Sequence, residues 1–256
     1  MVSPTASQGH DAALLTILVS PMPFHQPAMN LITPNLITSN LITCNLITCE
    51  ADLEEGMAAL RALQPHWAGI IDKVGLPPLR RRPGGFAGLA AIIVSQQLSV
   101  ASARAVWARV ESVLAPLTPE RILAASDEEM RLSGLSRPKQ RTLRAVAAAL
   151  VEGSLRFEAL EAATPEAVHE HMTAVSGIGP WTADIYLLFC LGHRDGFAAG
   201  DLAIQEAARQ AFDLPARPKA AELAALAEAW RPWRGVAARL LWAYYAALKK
   251  RDGINA

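Results

Sequence analysis

Two stretches hold the residue types best suited to chemistry. The first, VSGIGPWTADIYLLF over residues 175–189, sets Gly177 and Gly179 on either side of Ile178, then Pro180 and a helix opening on Trp181. Glycines this close permit positive φ and remove Cβ atoms, so the amides around Ile178 can point outward at the mouth of the second helix. Outward amides suit a phosphate, with Ile178 anchoring the turn in the core. A tight helix–helix corner with a packing glycine is the plainer account, because a G-x-G pattern is weak by itself.

The second stretch, DGFAAGDLAIQEAARQAF over residues 195–212, places Asp201 just ahead of an amphipathic helix carrying Leu202, Gln205, Ala208 and Phe212. A carboxylate there ordinarily caps the amides of the first turn. What marks Asp201 for more than capping is the order: glycine turn, helix, glycine-flanked loop, then aspartate at the next helix start. Cys190 and His193 offer a nucleophile pair or two metal ligands. With no third ligand nearby, a buried thiol and a surface imidazole are the expectation.

The elements that must position these residues read as helices. Val100, Ala103, Trp107, Val110 and Leu114 recur at spacings of three or four behind Ser99, a suitable N-cap. Leu223, Leu226, Ala227 and Trp230 repeat the pattern, as do Leu240, Leu241, Tyr244, Tyr245 and Leu248. Trp181–Leu191 is expected as one helix with Ala183, Tyr186, Leu187 and Cys190 on one face. Proline and glycine clusters separate the segments, and no run alternates long enough to make a strand. An all-α domain of about ten helices over residues 50–256 follows.

Of the 256 residues, 52% are hydrophobic, enough for one large domain or two intimate lobes with a real core. Formal charge is zero, but residues 80–144 hold eleven Lys or Arg against five Asp or Glu, a candidate polyanion face. Three cysteines, Cys44, Cys49 and Cys190, make neither a disulfide framework nor a clustered zinc or iron–sulfur site. No apolar run is long enough for a membrane span, and AALLTILV near the start lacks a basic flank, so a cytoplasmic protein is the expectation. Residues 30–49 repeat a five-residue unit four times, NLITP, NLITS, NLITC and NLITC. A pentad fits neither the helical nor the strand period, and residues 1–49 are expected to be a low-complexity tail outside the fold.

Four segments in fixed order, FAGLAAIIVSQQLSVASA (86–103), SGIGPWTADIY (176–186), GFAAGDLAIQ (196–205) and WRPWRGVAARLLW (230–242), resemble the helix-hairpin-helix DNA glycosylase superfamily. The likeness is greatest to its 3-methyladenine DNA glycosylase II branch, in a compact form without the amino-terminal β domain. It covers about residues 50–256 and implies a two-lobed all-α fold with the active site in the cleft between lobes. It further implies a monomer acting on double-stranded DNA that contains alkylated bases, in base excision repair.

By the same resemblance, Gly177, Ile178, Gly179 and Thr182 grip a backbone phosphate, with no cofactor beyond a monovalent cation on the main chain of Ser176 and Ile178. The damaged nucleotide is flipped out, Gln97 with Leu98 beside it wedges the gap, and Lys139 and Arg141 contact phosphate. Asp201 stabilises an oxocarbenium-like transition state while water displaces the base. Trp181 and Trp242 align with base-pocket aromatics and Tyr186 lies near. Ile185 replaces a pocket tyrosine, which puts the substrate range in doubt. Strand-nicking relatives carry a lysine where this chain has Trp181, so excision without lyase activity is implied. A non-catalytic hairpin module and a glycosylase for uracil or mismatched bases are the alternatives.

Overall fold

The computed structural model describes residues 45–251. The repeats before Asn45, with Cys44, lie outside those residues. The regular elements are α1 (Glu50–Leu63), α2 (Pro65–Val74), α3 (Gly85–Ser95), α4 (Val100–Leu114), α5 (Pro119–Ala124), α6 (Asp127–Leu132), α7 (Arg137–Val151), α8 (Phe157–Glu161), α9 (Pro165–Thr173), α10 (Pro180–Ile185), α11 (Leu202–Ala211), α12 (Ala220–Ala227) and α13 (Arg234–Arg251). A π-helical turn, Tyr186–Leu191, extends α10, and a 3-10 turn, Glu228–Trp230, follows α12. The all-α class is as expected; among the described residues the sole β feature is an isolated bridge between Leu46 and His193.

Local chemistry sets the helix starts. Proline occupies the first turn of α2, α5, α7, α9 and α10, where its missing N–H is no loss. Ser99 Oγ accepts the Ser102 amide at 3.2 Å, and α4 buries Ala103, Trp107, Val110 and Leu114, the stripe its spacing predicts.

Two lobes result. The middle of the chain forms one, with α3 packed on α4 and α7, and α5 on α7. Helix α3 buries Phe86 and every residue from Gly88 to Ser95. The two ends of the chain meet in the other, where α13 lies against α1, α2 and α11. A Cβ on Gly56 would stand 2.5 Å from Val236 Cγ2, so α1 and α13 approach closely there. Trp67 meets Trp230 edge-on at 5.0 Å and Phe212 stacks on Trp230 at 5.4 Å, fixing α2 and α11 to the segment before α13. The α9–α10 hairpin spans the lobes, α10 resting on α3.

Two expectations change. The single helix over 181–191 divides at Ile185, and the segment from Ile185 to Leu191 is buried on all sides rather than along one face. Arg239 reaches across from α13 and donates Nη2 to the Leu188 carbonyl at 2.8 Å. Burial holds that guanidinium down to about 9. A carbonyl claimed by a side chain is one physical route to a widened turn.

The fold also begins inside the last repeat rather than after it. Ile47 is fully buried, its amide donates to Gly192 O at 2.7 Å, and the Asn45 carbonyl accepts Arg194 N at 2.8 Å. A pentad too short for its own element can still dock as a bridge against the loop that leads to Asp201. Ile47→Ala should therefore cost about 2–5 kcal/mol in urea unfolding. A truncation after residue 44 should melt above one after residue 47, and equal melting would mean that this segment does not pack.

Candidate active site

The two hairpin glycines play different parts. Gly177 has φ 87°, and a Cβ there would stand 2.2 Å from Thr142 Oγ1 on α7. Gly179 has φ −91° and ψ 169°, an extended conformation open to any residue, and nothing lies within 4 Å of its Cβ position. The expectation of positive φ at both thus holds only for Gly177, while Gly179 leaves open space outside the turn. Ile178 is buried and donates its amide to Val175 O at 3.1 Å. The Gly179 carbonyl accepts the Thr182 and Ala183 amides at 3.0 and 3.2 Å. The amides of Gly177 and Gly179 have no hydrogen-bond partner among the described residues, as anion binding requires.

Asp201, 3% exposed, heads α11 as its N-cap. Its two oxygens do different work. Oδ1 accepts the Ala203 amide at 2.9 Å, the Ile204 amide at 3.1 Å and Trp242 Nε1 at 3.1 Å. Oδ2 accepts a single donor, Trp181 Nε1 at 2.9 Å. Capping and chemistry therefore do not compete: Oδ1 is saturated and Oδ2 retains acceptor capacity. Burial raises the Asp201 carboxyl above the ordinary carboxylate range, and the four N–H donors oppose that rise. Behind it, the Asp195 carboxylate binds Arg234 at 2.8 and 3.0 Å and also Arg231, tying the loop before Asp201 to α13.

A cleft of about 380 Å³ between the lobes is lined by Gln96, Gln97, Gly177, Gly179, Trp181, Thr182, Gly200, Asp201 and Leu202. The structure thus joins Gln97, the hairpin, Trp181 and Asp201 in one site. Asp184, a half-buried carboxyl of the hairpin helix, lies outside it in a separate cavity with His169, Asp195 and Arg234. Burial pushes Asp184 up to about 7.

Several expected site residues are placed elsewhere. Tyr186 is fully buried, accepts the Gly85 amide at 2.8 Å and stacks on Phe157 at 5.5 Å, so it belongs to the core. Ile185 is buried beside it and is not among the residues that line this cleft. Trp242 sits behind Asp201 against Phe189, supporting the carboxylate rather than walling the pocket. Thr182 lines the cleft but is 2% exposed, and its Oγ1 accepts Gln96 Nε2 at 2.7 Å. Lys139 donates to the carbonyls of Val94 at 2.7 Å and Gln96 at 2.8 Å, so its ammonium is committed to the end of α3. Arg141 is exposed in a separate groove with Arg131, Arg137 and Arg144. Cys190 is buried with its thiol pushed up to about 12, and His193 is half-buried rather than on the surface.

Gln96, Gly200 and Leu202 were not anticipated. A polar pair closing the apolar run 86–95 was the available signal for Gln96. Gln97 has φ 55° while exposed, and Leu98, half-buried beside it, donates its amide back to Ser95 O. A glutamine in that left-handed conformation costs on the order of 1 kcal/mol.

The sequence model of the HhH-GPD superfamily base excision DNA repair proteins matches residues 90–232. The chain belongs to that family. It is 31% identical over 190 residues to DNA-3-methyladenine glycosylase 1 of Schizosaccharomyces pombe, covering 72% of this chain and 83% of that one. The alkylbase DNA glycosidase-like protein mag2 of the same yeast is 25% identical over 200 residues, covering 75% and 94%. The fold superimposes on the S. pombe 3-methyladenine DNA glycosylase Mag1 in complex with abasic DNA at a TM-score of 0.67 and 30% identity, over 73% of this chain and 95% of that one. A 3-methyladenine glycosidase structure from Bacillus halodurans gives 0.65 at 32% identity, over 75% and 88%.

Because the folded pKa of Asp201 is raised, its ionised form destabilises the native state above that pKa, and the penalty vanishes below the unfolded value near 3.8. Asn removes the charge but turns an amide group towards an N–H donor, a cost that does not vary with pH, so the melting temperature of Asp201→Asn relative to wild type should rise from pH 4 to pH 8. A difference that stays flat or falls over that range would show that the charge is fully compensated by its donors.

Proposed function

We propose that this chain is a DNA glycosylase that rotates an alkylated base of the 3-methyladenine type out of duplex DNA and hydrolyses its N-glycosidic bond, with Asp201 as the catalytic carboxylate. The observation that carries this is the division of labour at Asp201: one oxygen caps α11, the other accepts a single indole N–H, and the residue lines a cleft it shares with the glycine turn.

The unpartnered amides at Gly177 and Gly179 hold a backbone phosphate without reading sequence. Gln97, exposed on its turn at the cleft mouth, fills the space of the extruded base. The base then meets the Trp181 indole. No Lys, Arg or His lines the cleft, so a cationic alkylated purine meets an indole and a carboxylate there with no competing positive side chain. As the glycosidic bond lengthens, positive charge builds on the sugar, and Asp201 Oδ2 stabilises it in a water-poor site. A cationic base leaves readily, so water completes the displacement with little acid catalysis.

Excision without strand nicking follows from the same lining: no amine faces the cleft, and Lys139 is committed to carbonyls behind it. The Ser176 and Ile178 carbonyls accept none of the turn's backbone bonds, which fits a monovalent cation there. Arg141 and the arginines beside it supply a sequence-blind electrostatic contribution to DNA affinity. No helix of the described residues is long and apolar enough to cross a membrane.

Single-turnover release of 3-methyladenine from alkylated duplex DNA should proceed with wild type and fall by about 10²–10³-fold in Asp201→Asn, the scale of losing one preorganised electrostatic contact. Strands should stay intact in both. Equal rates would remove Asp201 from catalysis, and no release by wild type together with tight DNA binding would favour the non-catalytic module. Gly179→Val, whose side chain would fill the open space, should weaken DNA binding with the melting temperature unchanged. Unchanged affinity would reduce the hairpin to a helix corner.

A further inference from the structure

Residues Ser95 to Leu98 form a reversal between α3 and α4 with the dihedrals of a type II turn. Gln96 has φ −54° and ψ 133°, Gln97 has φ 55°, and the Leu98 amide reaches back to Ser95 O at 3.3 Å. Such a turn ordinarily takes glycine where Gln97 stands. Nothing holds the Gln97 side chain, which makes no hydrogen bond among the described residues, so the strain must be held from behind. Lys139 of α7 does so. Its Nζ binds the carbonyls of Val94 and Gln96, on either side of Ser95, at 2.7 and 2.8 Å. Drawing these two carbonyls onto one cation fixes the reversal and satisfies groups left over at the C-terminus of α3. The Gln96 side chain pins the turn a second time, to Thr182 on α10.

We propose that Lys139 is a positioning residue for base extrusion: it latches the Ser95–Leu98 turn so that Gln97 is presented rigidly to the duplex, and it does not itself bind DNA. This rests on the excision reading above. A latched wedge has already met the conformational cost of ordering before the base leaves the stack, whereas a loose turn would have to be ordered at that moment.

The experiment compares wild type, Lys139→Met and Lys139→Arg on two duplexes, one with the alkylated base paired normally and one with it opposite an abasic site, where the stack is already opened. Salt dependence of binding to undamaged duplex is measured alongside. Lys139→Met should slow excision from the paired duplex about tenfold or more, since extrusion costs a few kcal/mol. It should come within about twofold of wild type on the opened duplex, with the salt slope unchanged. Lys139→Arg, which keeps a cation in reach of both carbonyls, should recover much of the rate. A salt slope lower by about one, with excision at saturating protein unchanged, would make Lys139 a phosphate contact and overturn the proposal. An equal loss on both duplexes would overturn it too. If Lys139→Met does not fold, Lys139→Gln, which removes the charge with a polar side chain, decides: a loss confined to the paired duplex with the salt slope unchanged supports the latch, and a wild-type paired-to-opened ratio with a salt slope lower by about one contradicts it. Should wild type release no base at all, the excision reading fails by itself. Fluorescence of 2-aminopurine beside the target would then report whether Lys139→Met still loses stack opening, and no loss would overturn the latch.

Discussion

A carboxylate buried to 3% exposure is the constraint around which the site is organised. Charge removed from water is costly unless hydrogen-bonded, and Asp201 is met by four N–H groups from three elements. Two are amides of its own helix, one is an indole from the hairpin helix, and one is an indole from α13. Neither lobe alone can complete that set, so the relative placement of hairpin and C-terminal helix is written into the hydrogen bonds of one side chain. The ion pairs of Asp195 with Arg231 and Arg234 brace the intervening loop in the same register. Net burial still raises the Asp201 carboxyl, which leaves a carboxylate that gains more from a neighbouring cation than a solvated one would.

The second axis of the site runs through α7. Its Thr142 packs against Gly177 of the hairpin, and its Lys139 holds the turn carrying Gln97. One helix therefore sets the distance between the glycine turn and the turn carrying Gln97, while its outer arginines face a separate groove. The hairpin turn, the Gln97 turn and Asp201 are thus all held by regular elements, the kind of rigidity that precise positioning of reacting atoms requires.

Much of this was legible in the sequence. Apolar spacing of three and four, proline and glycine breaks between segments and Ser99 as a cap marked out the helices, because each is a local rule. Asp201 and the Gly177–Gly179 turn stood out by order along the chain. What escaped was decided by distant partners. Lys139 reads as a phosphate contact until two carbonyls at the end of α3, more than forty residues earlier, are seen to hold it. Tyr186 is withdrawn into the core by the Gly85 amide, 101 residues away. The widened turn after Ile185 carries a guanidinium from another helix on its Leu188 carbonyl, and Ile47 docks beside Gly192, neither of which any local period encodes.

The pH dependence of single-turnover excision, wild type beside Trp181→Phe, tests the central claim most directly. If Asp201 Oδ2 acts in the cleft and is held by the Trp181 indole N–H, the acid limb of the wild-type profile reports a carboxyl above the ordinary range. Loss of that N–H donor should then move the limb to higher pH. An acid limb at the same pH in both proteins, whatever the change in maximal rate, would contradict the account.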